Sequence, residues 1–391
     1  MFRTIQECQQ RRRELDGARR DRNEDGFWSE IEEGIRERHI TGDDLSIRNA
    51  FVNLVEDGHE LVQSFSPRER ETTTRARLIE AGVDTGAFAN ITGQIVYSET
   101  LEAFQDPSFI GDRLARTVPT EFDGEKIPGI TRLGDNAESI GESQPYPMVG
   151  VSEEWIETPR TTKRGFIVPV TKEAIFFDRT GEVLGRAREV SQWLGINKEK
   201  RLIDAATGVT TLYRRNGQTA VATYGDNSGA HTWDNLAASN GLEDYTDVEN
   251  ALLLFDGILD PNTGEPVVVN PNQLLYPSAL KMTVNRILSA TELRKTTNTS
   301  NLTISGNPLA GESFERLTNQ WVKARTSSAT TWFAGDFYDA FAYMENWPIT
   351  SVDAPPNSEM EFTHDIVSRF KVSERGAVAC INPRKVVKST A

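Results

Sequence analysis

Residues 171–208, TKEAIFFDRTGEVLGRAREVSQWLGINKEKRLIDAATG, constrain the fold more than any other stretch of the chain. Val183, Leu184, Ala187, Val190, Leu194, Leu202, Ala205 and Ala206 recur at helical spacing, and Arg186, Arg188, Gln192, Lys198 and Lys200 take the other face. Asp178 or Thr180 can cap the start, and Gly208 stands where a left-handed C-terminal residue is favoured. At 1.5 Å per residue, a helix over 181–207 is a rod of about 40 Å. Nothing on it resembles a catalytic constellation, so it reads as a spine that supports something else.

The 391 residues provide for two or three folding units. With 37% apolar and 26% charged residues the chain is globular rather than disordered. No apolar run approaches the ~18 residues of a membrane span, and MFRTIQECQQRRR lacks the apolar core of a signal peptide. Together with two isolated thiols, Cys8 and Cys380, this places the chain in a reducing, cytoplasmic setting with no membrane partner. The net charge of −15 disfavours nucleic-acid binding, which uses a basic patch to release counterions. No such patch interleaved with aromatics occurs along the sequence, so any DNA partner is enclosed rather than clamped.

Residues 1–80 form a region of their own, with 14 Arg, no Lys and 18 acidic residues. So dense a mixture of signs predicts exposed helices, an appendage or a scaffold-like assembly segment. Residues 81–118 hold a small-residue stretch and a helix over IVYSETLEAF that ends near Pro107. In 119–164 only about a quarter of the residues are apolar, Gly and Pro recur, and strand-like pieces such as EEWIETP flank the excursion. A long two-stranded arm is marginal alone and should lie against another copy of the chain. Met148, Trp155 and Ile156 are its candidate inter-subunit anchors, because Met and aromatic residues favour interface cores.

Further on, RGFIVPV predicts a short buried strand entering the spine, and Arg215-Asn216-Gly217 a hairpin corner. Residues 243–350 read as a mixed α/β unit. It has helices over EDYTDVENALLLFDGIL and SALKMTVNRILSAT, a strand pair in VVVNPNQLLYP, a polar loop TTNTSNLTISGNP, and strands FERLTNQWV and TTWFAGD. From Met360 a long strand alternates Phe362, His364, Ile366, Ser368, Phe370 and Val372 against Glu361, Thr363, Asp365, Val367, Arg369 and Lys371. Glu374-Arg375-Gly376 then turns the chain so that AVACI returns as a hairpin.

Catalytic signatures are lacking. His39, His59, His231 and His364 have no metal-ligand spacing, and neither a nucleophile elbow nor a phosphate-binding glycine loop occurs. Asp260-Pro-Asn-Thr-Gly264 lacks the downstream Glu of a calcium loop and reads as a turn. Glu153 and Glu154, adjacent in an extended segment, point to opposite faces. No catalytic residue, cofactor or metal is expected, and a hydrolase is the remote alternative.

The order of these pieces resembles the major capsid protein of tailed bacteriophages, most closely the Mu-like major head subunit family. The resemblance rests on FANITGQIVYSETLEAF, FDGEKIPGITRLGDNAE, FIVPVTKEAIFFDRTGEVLGRA, FAGDFYDAFAYMENWPI and HDIVSRFKVSERGAVACINPRKVVKST. It implies an α+β capsid fold in which 81–118 is the N-terminal arm and 119–170 the extended E-loop. The peripheral domain would be 171–242 with its spine helix plus the terminal strands of 351–391, and 243–350 the axial domain. The implied function is self-assembly, as hexamers and pentamers, into an icosahedral shell enclosing double-stranded DNA. Portal, scaffold, protease and decoration proteins are the implied further partners, and the virion, assembled in the host cytoplasm, the implied location. In some members the E-loop forms a Lys–Asn cross-link, for which Lys126 is the candidate, as the lysine of the loop proper. A nanocompartment or gene-transfer-particle shell shares the architecture and is the nearer alternative.

Overall fold

The computed structural model describes residues 101, 103–104, 106, 108–128, 140, 155–171, 182–228, 231–260, 264–298, 301–353 and 366–391. The expectations for residues 1–80, for Met148, Glu153 and Glu154, for the caps at Asp178 and Thr180, and for Met360 to Asp365 lie outside them. In chain order the elements are α1 (Gly111–Leu114), β1 (Arg116–Pro119), β2 (Lys126–Pro128), β3 (Trp155–Glu157), β4 (Thr162–Thr171), α2 (Glu182–Ala206), β5 (Leu236–Ala237) and α3 (Tyr245–Asp256). They continue with β6 (Gln273–Pro277), α4 (Lys281–Ser289), β7 (Glu292–Asn298), β8 (Asn301–Gly306), β9 (Glu315–Asn319), α5 (Gln320–Thr326) and β10 (Trp332–Gly335). The last are α6 (Phe337–Ala340), β11 (Phe341–Asp353), β12 (Ile366–Cys380) and β13 (Val386–Ser389). The fold is mixed α+β. Two compact units emerge: the first holds described residues before 107, Lys163–Ile196 and Trp347–Arg375; the second holds Pro107–Thr162, Asn197–Asn346 and Gly376–Ala391.

The second unit is built on a five-stranded sheet of order β5-β13-β10-β6-β9. β10 pairs antiparallel with both β13 and β6, whereas β9 runs parallel to β6. All five residues of β6 and all four of β10 are buried, as expected of strands covered on both faces. Trp332, Phe333, Phe337 and Phe341 fill the core with Leu202, Ile203, Ala205 and Ala206 from the last turns of α2. α3 packs through Val248, Ala251 and Phe255, and its start is closed by a capping box in which Asp244 and Asp247 satisfy each other's backbone donors. In the first unit Phe104, Leu194, Ile349 and Val372 make a smaller core, with Leu101 and Phe166 against it.

The spine is a helix as expected, and Gly208 takes the left-handed conformation at φ +71° that ends it. Val190 departs from the predicted stripe and is 41% exposed. At Asn216 and Gly217 both φ values are positive, and Gln218 N–H donates to the Arg215 carbonyl, the geometry of a type I′ corner. Asp260 closes a turn on Gly264.

Several expectations need correction. TTNTSNLTISGNP is not a loop: β7 and β8 pair antiparallel from Glu292↔Gly306 to Asn298↔Asn301. Thr, Leu and Ile suit a strand however polar the tract reads overall. VVVNPNQLLYP holds one strand, β6, rather than a pair; Val267 bonds to the Ile258 carbonyl in a turn instead. FERLTNQWV changes state midway, because Asn319 caps Trp321 N–H and starts α5. β4 is ten residues long and not a buried strand, since residues 163, 165, 167 and 169 alternate outward. Finally, no hairpin forms at Glu374-Arg375-Gly376: β12 runs unbroken to Cys380, and the chain returns only at β13, which pairs with β10. Gly376 serves close approach rather than a turn. A Cβ there would lie 2.5 Å from Tyr343 Oη and 2.8 Å from the Met344 carbonyl oxygen.

Candidate functional site

The two ends of the segment between β2 and β3 are held together by strand pairing. β2 and β3 pair antiparallel in the register Lys126↔Glu157, Ile127↔Ile156 and Pro128↔Trp155. On its other edge β3 meets the Arg215 corner: Glu157 N–H donates to the Arg214 carbonyl at 2.9 Å, and Asn216 N–H to the Trp155 carbonyl at 2.9 Å. Asn216 Oδ1 accepts from Trp155 N–H at 2.9 Å, so the predicted corner is also the clamp that holds β3. A two-stranded ribbon is marginal in water, and the bridge from Ile156 to Arg215 at this corner supplies further pairing.

Before β2 the chain is fixed by side chains. Thr158 Oγ1 accepts from Glu125 N–H at 2.7 Å, and Asp123 Oδ1 accepts from both Thr161 N–H and its hydroxyl, at 2.9 and 3.0 Å. Gly124, at φ +88°, turns the chain between these anchors. Phe122 is left 63% exposed while Asn346 Nδ2 donates to its carbonyl oxygen at 3.1 Å. Residues 123–126, 157–160 and 211–220 enclose a half-open cavity of about 540 Å³.

The sequence-selected residues divide here. Ile156 is 3% exposed and belongs to the main core of its own unit. Trp155 is half-buried; Lys126 Nζ lies 4.9 Å from its ring centroid, and Trp155 Nε1 donates to Glu157 Oε1 at 3.4 Å. Arg214 completes the group with an ion pair to Glu157 at 3.6 Å. Lys126 therefore makes a cation–π contact within its own chain.

Sequence reasoning missed the buried polar groups that hold the second unit together. Glu199, 2% exposed, accepts from Ile110 N–H at 2.9 Å, Gly111 N–H at 2.8 Å and Asn319 Nδ2 at 3.0 Å. Burial pushes its carboxyl above the usual range, and those three hydrogen bonds partly offset the push. The signal was present in the sequence, because Glu199 falls three residues before Leu202 on the spine's apolar stripe. Asp204 and Arg325 form a bidentate pair at 2.5 and 2.6 Å, which raises the guanidinium further. Asn235 is fully buried; its amide donates to the Thr223, Pro383 and Val386 carbonyls and accepts from Gly225 N–H.

A second cavity, of about 450 Å³, is rimmed by Asp112, Glu315, Asp336 and Asp339. Three of these carboxylates are paired: Lys198 with Asp112, Arg113 with Glu315, and Arg116 and Lys385 with Asp339, while Asp336 accepts from Asp339 N–H. The Lys385 hydrogen bond holds the Asp339 carboxyl below the usual range. Among the described residues no group of three or more metal-ligating side chains assembles, and His231 instead packs edge-on against Trp233 at 5.1 Å. No helix among them is long and apolar enough to cross a membrane.

No protein of curated function matches the chain. Among solved structures it is similar to a phage-related protein from Bordetella bronchiseptica, at 12% identity and a TM-score of 0.43, covering 75% of this chain and 95% of that one. It is similar also to the capsid asymmetric unit of cyanophage Pam1, at 14% identity and 0.42, covering 71% and 86%. The virus-like particle from Pyrococcus furiosus gives 13% and 0.42, covering 75% and 98%. Likenesses this distant decide nothing; the profile of the family described as phage capsid protein does, matching residues 155–389 from β3 through β13. With well over half of its length inside that match, the chain belongs to the phage capsid protein family.

Proposed function

We propose that this capsid protein is the major head subunit of a Mu-like tailed phage or prophage, assembling as hexamers and pentamers into an icosahedral shell around double-stranded DNA. A capsid protein is structural and not an enzyme, and the hydrolase alternative falls with that assignment. The observation that carries the reading is the family match, which spans the spine helix, both terminal strands and the intervening α/β unit.

In this reading residues 1–80 are a scaffold-like segment, 81–118 the arm and 119–170 the E-loop. Residues 171–242 and 351–391 form the peripheral domain and 243–350 the axial domain. The clamped root supports an E-loop that reaches a neighbour, because an extended arm transmits a contact only if its base is rigid. Lys126, Met148, Trp155 and Ile156 remain the inter-subunit candidates, Ile156 acting from within its own core as support for Trp155. Assembly in the host cytoplasm, with portal, scaffold, protease and decoration proteins, completes the proposal.

Expression of the full chain alone, followed by light scattering and negative-stain electron microscopy, tests it. Closed shells or rings of five and six are expected, and Trp155→Ala should leave a folded subunit with lower shell yield. A monomer at every concentration, with and without a co-expressed scaffold, overturns the reading. Shells that enclose a protein rather than DNA shift it to a nanocompartment.

A further inference from the structure

The sheet of the first unit gathers cations that the sequence scatters. β4 and β12 are neighbouring strands, and a Cβ at Gly165 would lie 2.9 Å from Ser373 Cα, so their backbones touch there. Lys163 Nζ and the Arg375 guanidinium lie 5.8 and 5.5 Å from one ring centroid, that of Trp347. Lys371 projects outward between buried Phe370 and Val372, and Ile167 on β4 is 58% exposed. The one acidic residue of β12 in this unit, Glu374, is 3% exposed. The result is a solvent face with an apolar centre and a cationic rim, on a chain whose net charge is −15.

A matching face exists on the second unit. α3 buries Val248, Ala251 and Phe255, and its outer side presents Glu249, Leu253 and Asp256, with Leu253 58% exposed. At 1.5 Å per residue Glu249 and Asp256 are about 10 Å apart, one on each side of Leu253. In a strand, Lys163 and Ile167 are about 13 Å apart. No ion pair engages Glu249, Asp256 or Lys371 among the described residues.

We propose that these two faces dock between copies, the Lys163–Ile167–Lys371 face of one chain on the Glu249–Leu253–Asp256 face of another. The inference rests on the shell reading above and names the surfaces that reading needs. The contact is heterologous, the kind that forms a ring when its rotation closes. It also explains how copies that repel overall adhere: opposite charges are paired locally around an apolar anchor, and the pairs set orientation more than affinity. DNA is the weaker occupant, because the acidic face of α3 would then have no partner and the cations flank Trp347 rather than leave it open for stacking.

Charge reversal in the full chain tests the docking. Lys163→Glu with Lys371→Glu should lower shell yield by at least roughly tenfold, as should Glu249→Lys with Asp256→Lys. The four changes combined in one chain should restore shells, an outcome that loss of folding cannot imitate. Circular dichroism of each variant checks the fold. If the reversed chains assemble as well as the parent, the inference is overturned while the shell reading stands. If they assemble normally but retain less DNA, the sheet faces the genome and the docking is wrong. Should the parent form no shells, a mixture of Lys371→Cys and Glu249→Cys chains still decides: oxidation must yield that cross-linked peptide pair in mass spectra, and its absence overturns the docking.

Discussion

Replacing Glu199 by Gln isolates what the buried carboxylate does. Oε1 accepts from Ile110 N–H and Asn319 Nδ2, and Oε2 from Gly111 N–H at 2.8 Å, so both oxygens act as acceptors. The amide keeps one acceptor and sets an NH₂ group against at least one donor, leaving that buried N–H unpaired at ~1–3 kcal/mol. Weakened charge assistance on the remaining bonds adds about 1 kcal/mol, giving a loss of ~2–4 kcal/mol. The raised carboxyl works the other way: a group whose folded pKa lies above its unfolded value disfavours the folded state once pH exceeds both. The cost of Glu199→Gln should therefore be largest near pH 4, below the ordinary carboxyl value of 4.5, and smaller at pH 8, where the parent carries its own ionisation penalty. Urea titration of the full chain, followed by tryptophan fluorescence at both pH values, measures it. A change below ~0.5 kcal/mol at both would refute the reasoning, since it would mean that one oxygen suffices.

Arg325→Ala strips Asp204, itself 9% exposed, of its bidentate partner; with the guanidinium 40% exposed and screened, about 2 kcal/mol should be lost, read by the same titration. Gly376→Ala places a methyl 2.6 Å from the Tyr343 ring and should cost ~1–3 kcal/mol, while Gly185→Ala, with nothing within 4 Å, should not lower the melting temperature. Burial pushes the Cys380 thiol up to about 12, so at pH 8 it should resist iodoacetamide in the native chain and react fully in urea, as mass spectrometry of its peptide will show. Alkylation of native Cys380 within minutes would contradict its burial.

What was legible in the sequence is what local physics controls. The spine followed from apolar spacing, its end from Gly208 and the corner from Asn216-Gly217, because each depends on neighbours a few residues away. Element identity failed where tertiary context overrode local signals. The Thr- and Asn-rich tract became paired strands because two such segments lay together, and Gly376 looked like a turn until Tyr343 was seen beside it. Of the selected contact residues, Ile156 shows the limit plainly: an apolar residue in a sparse segment reads as an interface anchor, yet the adjoining corner at Arg215 buries it in its own core.

The sequence by itself determined that the chain is an acidic, α+β, spine-built protein with the element order of a capsid subunit. Only the tertiary structure decided which charges stand together. Lys163, Trp347, Lys371 and Arg375 are spread over more than two hundred residues, and no window along the chain brings them together. Strand neighbours set that patch, and the same long-range pairing placed Glu199 against Ile110, Gly111 and Asn319. Periodicity reports the face a residue takes within its own element; which element covers that face is settled only when distant segments pack and exclude water.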